Sequence, residues 1–274
     1  MKRKWLVIGI ILLFIGTTVI PSSGQNIEKL SLRTSRGNTL YVGGSGPGNY
    51  SKIQDAINAS SDGDTIFVYN GTYDEHITIN KAIHLIGQVV SSTIIDGQNT
   101  GCVITVSASA TITRFTIQNS GSIYGYEAGV ISNSQPDMSY IITVTGNCFK
   151  NNYNGVLIQD SQNDVITGNT FMNNDCGVFL FLSSNCRINN NNFINNTNHS
   201  FFRFFIGFQK HPRNNWTGNY WDDWHSSLPR PIRGTNELIL FVLRPGAVYT
   251  LPFPWFNIDW HPAKEPYNIP GMSQ

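Results

Sequence analysis

The chain has 274 residues, a formal net charge of +1 and 13% charged residues. A charge so near zero excludes an overall field that would recruit nucleic acid or an anionic membrane surface. The small charged fraction excludes a fold of solvated helices; polarity comes instead from Asn, Ser, Thr and Gly, which suit turns.

Lys2, Arg3 and Lys4 precede an apolar run from Trp5 to Ile20, and Pro21-Ser22-Ser23-Gly24 follows with small residues suited to cleavage. Residues 1–24 are therefore expected to be a signal peptide, or an N-terminal membrane anchor if they stay attached. The run is shorter than the roughly 20 residues of a spanning helix. The expected location is extracellular or at the cell surface, with the membrane touched only through this segment. Residues 25–40 read as a linker.

Tyr50 to Ser60 reads as a short cap helix. Ser51 and Gln54 have capping-box spacing, and Ile53, Ala56 and Ile57 share one face. Thr65-Ile66-Phe67-Val68 is the first strand-like run, followed by short ones at Ile77–Ile79, Ile83–Ile86, Thr93–Gly97, Val103–Val106 and Thr111–Ile117.

Beyond these the chain repeats. Thr145-Gly146-Asn147-Cys148-Phe149-Lys150-Asn151-Asn152 recurs 22 residues on as Thr167-Gly168-Asn169-Thr170-Phe171-Met172-Asn173-Asn174. It recurs again at Asn189 to Asn196, and loosely at Thr217-Gly218-Asn219-Tyr220-Trp221. Asn accounts for 16 of the 57 residues from Ile142 to Asn198. No leucine-rich signature is present, and Asn-Asn pairs disfavour helical repeats. Short strands separated by Gly-Asn and Asn-Asn bends remain, stacking in parallel about 4.8 Å per coil. The fold class expected is all-β, a right-handed parallel β-helix of seven to nine coils. At its bends Asn and Gly tolerate the left-handed backbone region. Asn147, Asn169 and Asn191, and Asn152, Asn174 and Asn196, should stack as amide ladders. Phe149, Phe171 and Phe193 should form an inward aromatic column. The β-helix with its cap spans residues 41–223, and residues 224–274, rich in Pro and aromatics, are expected to form an irregular C-terminal cap. Cys102, Cys148, Cys176 and Cys186 allow three disulfide pairings or none.

Ile53 to Gly87 resembles the opening of right-handed parallel β-helix proteins of the pectin-lyase-like superfamily. The "GNTFMNN" coils resemble NosD-like periplasmic repeat proteins, and "GNYWDDW", Gly218 to Trp224, resembles the closing segment of archaeal members. The resemblance covers roughly Leu40 to Trp224 and implies a fold more than an activity, since the superfamily holds lyases, hydrolases, epimerases and non-catalytic proteins.

Acid–base chemistry on a β-helix needs carboxylates or basic groups aligned on one outer face. Lys150, Asp160, Asp164, Asp175 and Arg187 are the charged residues of the regular coils, and they form no column at the 22-residue shift. The motifs of β-helix polygalacturonases and alginate epimerases are absent, so no catalytic residue is assigned. The densest polar-aromatic cluster lies late. Trp216, Tyr220, Trp221 and Trp224 are candidates for a sugar platform, with buried packing of the last coil as the plainer role. Asp222, Asp223, His225, Asp259 and His261 are candidate ligands for a divalent metal, which requires His225 and His261 to converge. His199 and His211 are read as isolated surface residues. No other cofactor is expected.

NosD itself is linked to assembly of the copper centre of nitrous oxide reductase, a role that needs soft or imidazole ligands. The four Met and six His here are scattered. The expected function is a non-catalytic secreted or cell-surface module that binds envelope polysaccharide or surface proteins. Two alternatives remain: a polysaccharide lyase or hydrolase using Arg114, Glu127, Asp137 or Lys150 beside the Tyr124–Tyr140 insertion, and a periplasmic accessory protein for copper-site assembly.

Overall fold

The computed structural model describes residues 37–122, 125–133, 140–206, 213–244 and 247–271; the side chains of Asn133, Ile206 and residues 239–249 are not described. The signal or anchor segment 1–24, His211 and Asp137 lie outside these residues. Among the described residues no helix is long and apolar enough to cross a membrane.

Three parallel sheets, the first and third joined through the C-terminal hairpin into one of 16 strands, wind into a β-solenoid. One sheet runs from Thr39–Val42 through Thr65–Val68 to Asn215–Thr217. A second, seven-stranded sheet runs from Gly71–Asp74 to Tyr220–Trp221. The third runs from Ile77–Ile79 to Arg230–Arg244. Each turn contributes one strand to each sheet. Six turns are complete, fewer than the seven to nine expected, and a seventh opens into the C-terminal hairpin. Thr39 and Leu40, read as the end of the linker, already belong to the first strand.

Between the fourth and sixth turns the register puts residues 22 apart on adjacent rungs, so Phe149 pairs with Phe171 and Phe171 with Phe193. Their rings stack at 5.0 Å, and Trp221 closes the column on Phe193 at 4.2 Å and 7°. All four are buried at the centre of the lumen.

The asparagines divide into two roles. Asn151, Asn173 and Asn195 take positive φ at the corners, as do Gly146 and Gly168. Their neighbours form the ladders. Asn147 donates its main-chain N–H and its Nδ2 to Oδ1 of Asn169, at 3.0 and 3.2 Å. Asn169 does the same to Asn191, and Asn191 to Asn219. Asn152, Asn174 and Asn196 repeat the pattern in a second ladder. Every rung also donates Nδ2 to a carbonyl of the turn before, as Asn169 does to Val144 at 2.9 Å. These buried amides satisfy the main chain where a bend interrupts the sheet.

The N-terminal helix spans Ile53–Ala59, and its apolar face, Ile53, Ala56 and Ile57, covers the first turn. The expected Ser51 capping box is absent: Lys52 is the N-cap and makes no side-chain bond. Glu75, from the first turn, instead accepts the N–H groups of Ile53 and Gln54 at 2.9 and 3.0 Å. A carboxylate there also faces the positive end of the helix.

The C-terminal region is more regular than expected. Arg230–Arg244 and Ala247–Asp259 pair antiparallel as one long hairpin. The first strand continues the third sheet beside Asn198–Ile206, and the second joins the first sheet where Asp259 pairs with Trp216. The largely apolar run Glu237 to Leu243, strand-like in the sequence, lies within the first of these strands. Pro252 and Pro254 have no N–H to offer a further strand. All four cysteines are free. Burial pushes the thiols of Cys176 and Cys186 up to about 12.

Candidate functional site

Both ladders end at the closing turn, and each ends on an ionisable side chain. Asn219, last of the first ladder, donates to Oδ2 of Asp259, which also accepts Trp221 Nε1 at 3.2 Å. Asn196, last of the second, faces His199: its Nδ2 lies 3.3 Å from Nδ1 of the imidazole.

The amide of Asn196 is oriented by the ladder. Its Oδ1 accepts from Asn174, and its Nδ2 donates to the carbonyl of Phe171 at 2.9 Å. An N–H therefore points at His199 Nδ1, which must accept, and the ring proton sits on Nε2. Nε2 in turn lies 2.9 Å from Asp222 and 3.3 Å from Asp223. Burial holds the imidazole pKa below its usual value; Asp223 and Asp222 oppose that shift, and Arg230 adds to it. Burial pushes the Asp223 carboxyl up, but its hydrogen bond and charge pairing with Arg230 outweigh this, with His199 adding, and hold it low. Arg230 grips Asp223 with both terminal nitrogens while its guanidinium lies 4.3 Å over the Trp221 ring.

These groups edge a groove of about 530 Å³ between the last turns and the base of the hairpin. Asn195, Asn198, Ser200, Trp224 and Arg233 supply much of its remaining lining. Its chemistry is amide, hydroxyl, carboxylate and guanidinium around one half-buried indole.

The residues singled out in the sequence scatter across this region. Asp222 and Asp223 meet at His199, which is buried, and correct the reading of His199 as an isolated surface residue. Asp259 is fully buried and belongs to the ladder. His225 and His261 are exposed. Among the described residues the one cluster of three or more metal-capable groups is His199, Asp222 and Asp223, so those two histidines build no metal site with it. Trp216 and Trp221 are buried in the core and offer no open face, which removes them from a sugar platform. Tyr220 and Trp224 are half-buried, and Trp224 lines the groove. Arg114 binds the carbonyl of Gln88 and Glu127 is buried, so neither builds an acid–base pair in a groove.

The signal for His199 was present at the 22-residue shift. Gly155 and Gly177 hold its position in the two turns before, where an added Cβ would meet the Phe171 and Phe193 rings at 2.7 and 2.9 Å. At the rung where the Gly column ends, His199 packs beside Phe193 and Trp221, with ring centres 6.2 and 6.0 Å away.

A family model described as "Periplasmic copper-binding protein (NosD)" matches residues 57–202 and 128–226, more than half of the chain. No curated protein matches. Among solved structures, a pectin methylesterase in complex with a hexasaccharide is 15% identical over 66% of this chain and 59% of its own, with a TM-score of 0.43. The chain thus spans less than two thirds of that structure's length. The Aspergillus niger pectin methylesterase is 16% identical over 67% of this chain and 76% of its own, with a TM-score of 0.41. PemA of Erwinia chrysanthemi is 14% identical over 69% and 71%, with a TM-score of 0.33.

Proposed function

The chain belongs to the NosD family, and from that premise we propose that it is an exported, non-catalytic β-helix module of the cell envelope that binds polysaccharide in the groove at its closing turn. One observation carries the reading: the ionisable groups that converge there are matched to one another. His199 is neutral and donates from Nε2, and Asp223 is held by Arg230. Groups satisfied in this way hold a shape and present hydrogen bonds, whereas a general acid or base needs a poised pKa and an open proton. Amides, hydroxyls, a guanidinium and an indole face together suit the hydroxyls and apolar faces of sugar rings.

An enzyme reading draws less support. Asp164, pushed up to about 6 by burial, is the carboxyl most suited by pKa to acid–base work. It is fully buried and accepts the N–H of Ile142 at 2.8 Å, which is a structural duty.

Copper fits the described residues poorly. Ligation at His199 Nε2 moves the ring proton to Nδ1, against the N–H of Asn196, and Arg230 already holds Asp223. The soft pair, Cys148 Sγ and Met172 Sδ at 3.9 Å, carries a thiol that burial pushes up to about 11 and so stays protonated at neutral pH. No metal step enters this reading.

The test is a glycan array probed with the full chain and with Arg233→Glu, which alters an exposed groove residue. Binding that the variant loses is expected. A folded protein that binds no envelope glycan, or that releases reducing ends or unsaturated products from one, overturns the proposal.

A further inference from the structure

The last ten described residues run back across the outside of the second sheet. Ala263 bridges Tyr220 and donates its N–H to the carbonyl of Asn219 at 2.9 Å. Tyr267 sits one turn earlier, where Asn192 donates Nδ2 to its carbonyl at 2.9 Å and accepts its N–H at 2.8 Å. Gly271 reaches the second turn, where its carbonyl accepts from Ser91 at 3.2 Å.

Between these points lies one outward-facing column. Register aligns Ile94, Thr116, Cys148, Thr170, Asn192 and Tyr220, each beside the lumen residue that follows it in sequence. Outward residues of a solenoid are ordinarily wet, yet Thr116, Cys148, Thr170 and Asn192 are each at most 4% exposed. The tail pins both ends of this column, and its Ile269 is buried. The column is thus a strip of small polar side chains: Thr116 donates to the Val90 carbonyl at 2.7 Å, and the tail runs beside the strip with its contacts at Asn192 and Ser91.

The tail is held mainly through its main chain, with one further side-chain contact in which the Tyr267 hydroxyl donates to the carbonyl of Gly218 at 2.6 Å. Asn192 reads main chain, not side chain, and Pro262, Pro266 and Pro270 keep the segment extended before it docks. Lys264, Glu265 and Pro266 stand exposed, and one buried aliphatic side chain with a few hydrogen bonds secures the rest. Such a segment opens locally without unfolding the solenoid.

We propose that this outer strip is a docking site for an extended peptide segment of a partner protein, and that the chain's own tail occupies it in cis. The segment it takes places its main chain over Asn192 and an aliphatic residue followed by Pro two and three positions later, as Tyr267, Ile269 and Pro270 do. Tail release opens the site, so the tail sets when the partner binds.

The test uses the full chain carrying Ile269→Asp and a fluorescein-labelled peptide of residues 262–271 as probe, read by anisotropy. The variant is expected to bind at least tenfold more tightly than the unmodified chain, and adding Asn192→Ala should abolish the gain. In the same samples Cys148 should react with a thiol reagent in the variant and stay protected in the unmodified chain. Equal binding by both chains, or no binding by a variant whose Cys148 has become reactive, overturns the proposal. Hydrogen exchange of the unmodified chain gives a reading independent of any variant. Amides of residues 267–271 as slow as those of Phe171 and Phe193 would make the tail a permanent strap and also overturn it.

Discussion

Asn219 donates both its main-chain N–H and its side-chain Nδ2 to a single oxygen of Asp259, at 3.1 and 3.0 Å. The first amide ladder therefore ends on a carboxylate, whose other oxygen accepts the N–H of His261 at 3.1 Å. Asp259→Asn keeps one acceptor oxygen and turns the other into a donor that faces an N–H. It is expected to cost about 1–3 kcal/mol, measured by urea unfolding. Asn169→Ala, in mid-ladder, strips partners from Asn147 N–H and the Val144 carbonyl at once. It should cost more, roughly 3 kcal/mol or above. An Asn169→Ala cost below that of Asp259→Asn would show that the ladder interior is the weaker link.

Phe171→Ala empties the middle of the ring column, where Phe149 and Phe193 stack on either side at 5.0 Å. Neighbouring turns cannot collapse into the space because the strand spacing is fixed by their hydrogen bonds. A loss of about 3–5 kcal/mol is expected, with calorimetry as the check.

Asp164 and His199 drive stability in opposite directions with pH. The folded pKa of Asp164 is raised from 3.8 to about 6. Between those values the folded state holds more protons than the unfolded, so this term weakens the fold as pH rises through the window. For the fully buried Asp164 the effect at neutral pH is on the order of 2–3 kcal/mol. Asp164→Asn keeps an acceptor for Ile142 and should recover much of it while flattening the profile between pH 4 and about 6. His199 is shifted below 6.5, so its term weakens the fold as pH falls beneath that value. His199→Gln removes that acid-side loss. Unfolding midpoints of both variants across this range separate the terms, and parallel profiles for variant and unmodified chain would contradict both assignments.

Copper titration bears on the tautomer of His199. With Nδ1 committed to Asn196 and Asp223 to Arg230, calorimetry with Cu(II) is expected to show no stoichiometric site that depends on His199. A one-to-one site lost in His199→Ala would mean that the imidazole reverses its proton and the second ladder gives way.

The sequence carried the solenoid because identical residues had to recur wherever rungs stack. Asn147, Asn169 and Asn191 recur at a constant spacing of 22, and that spacing is their register in the fold. Of the hairpin only the run Glu237 to Leu243 was legible as a strand; its partner, Ala247–Asp259, is interrupted by prolines and shows no strand pattern. The groove was half legible. Asp222-Asp223 stood out by composition, but their partners His199 and Arg230 come from separate strands, and proximity between strands of different sheets has no local signature. The helix cap failed for a similar reason: Glu75 lies more than twenty residues from the N–H groups it satisfies.

The carboxylate at the end of the first ladder also gives the column a polarity. Each Asn both donates forward and accepts from behind, so a bare Asn rung at the end of a solenoid is a template on which another copy could continue the stack. Asp259 accepts and has nothing to pass on. A chain of interchangeable units thus acquires a chemical end: a further Asn rung laid on Asp259 would receive no side-chain N–H.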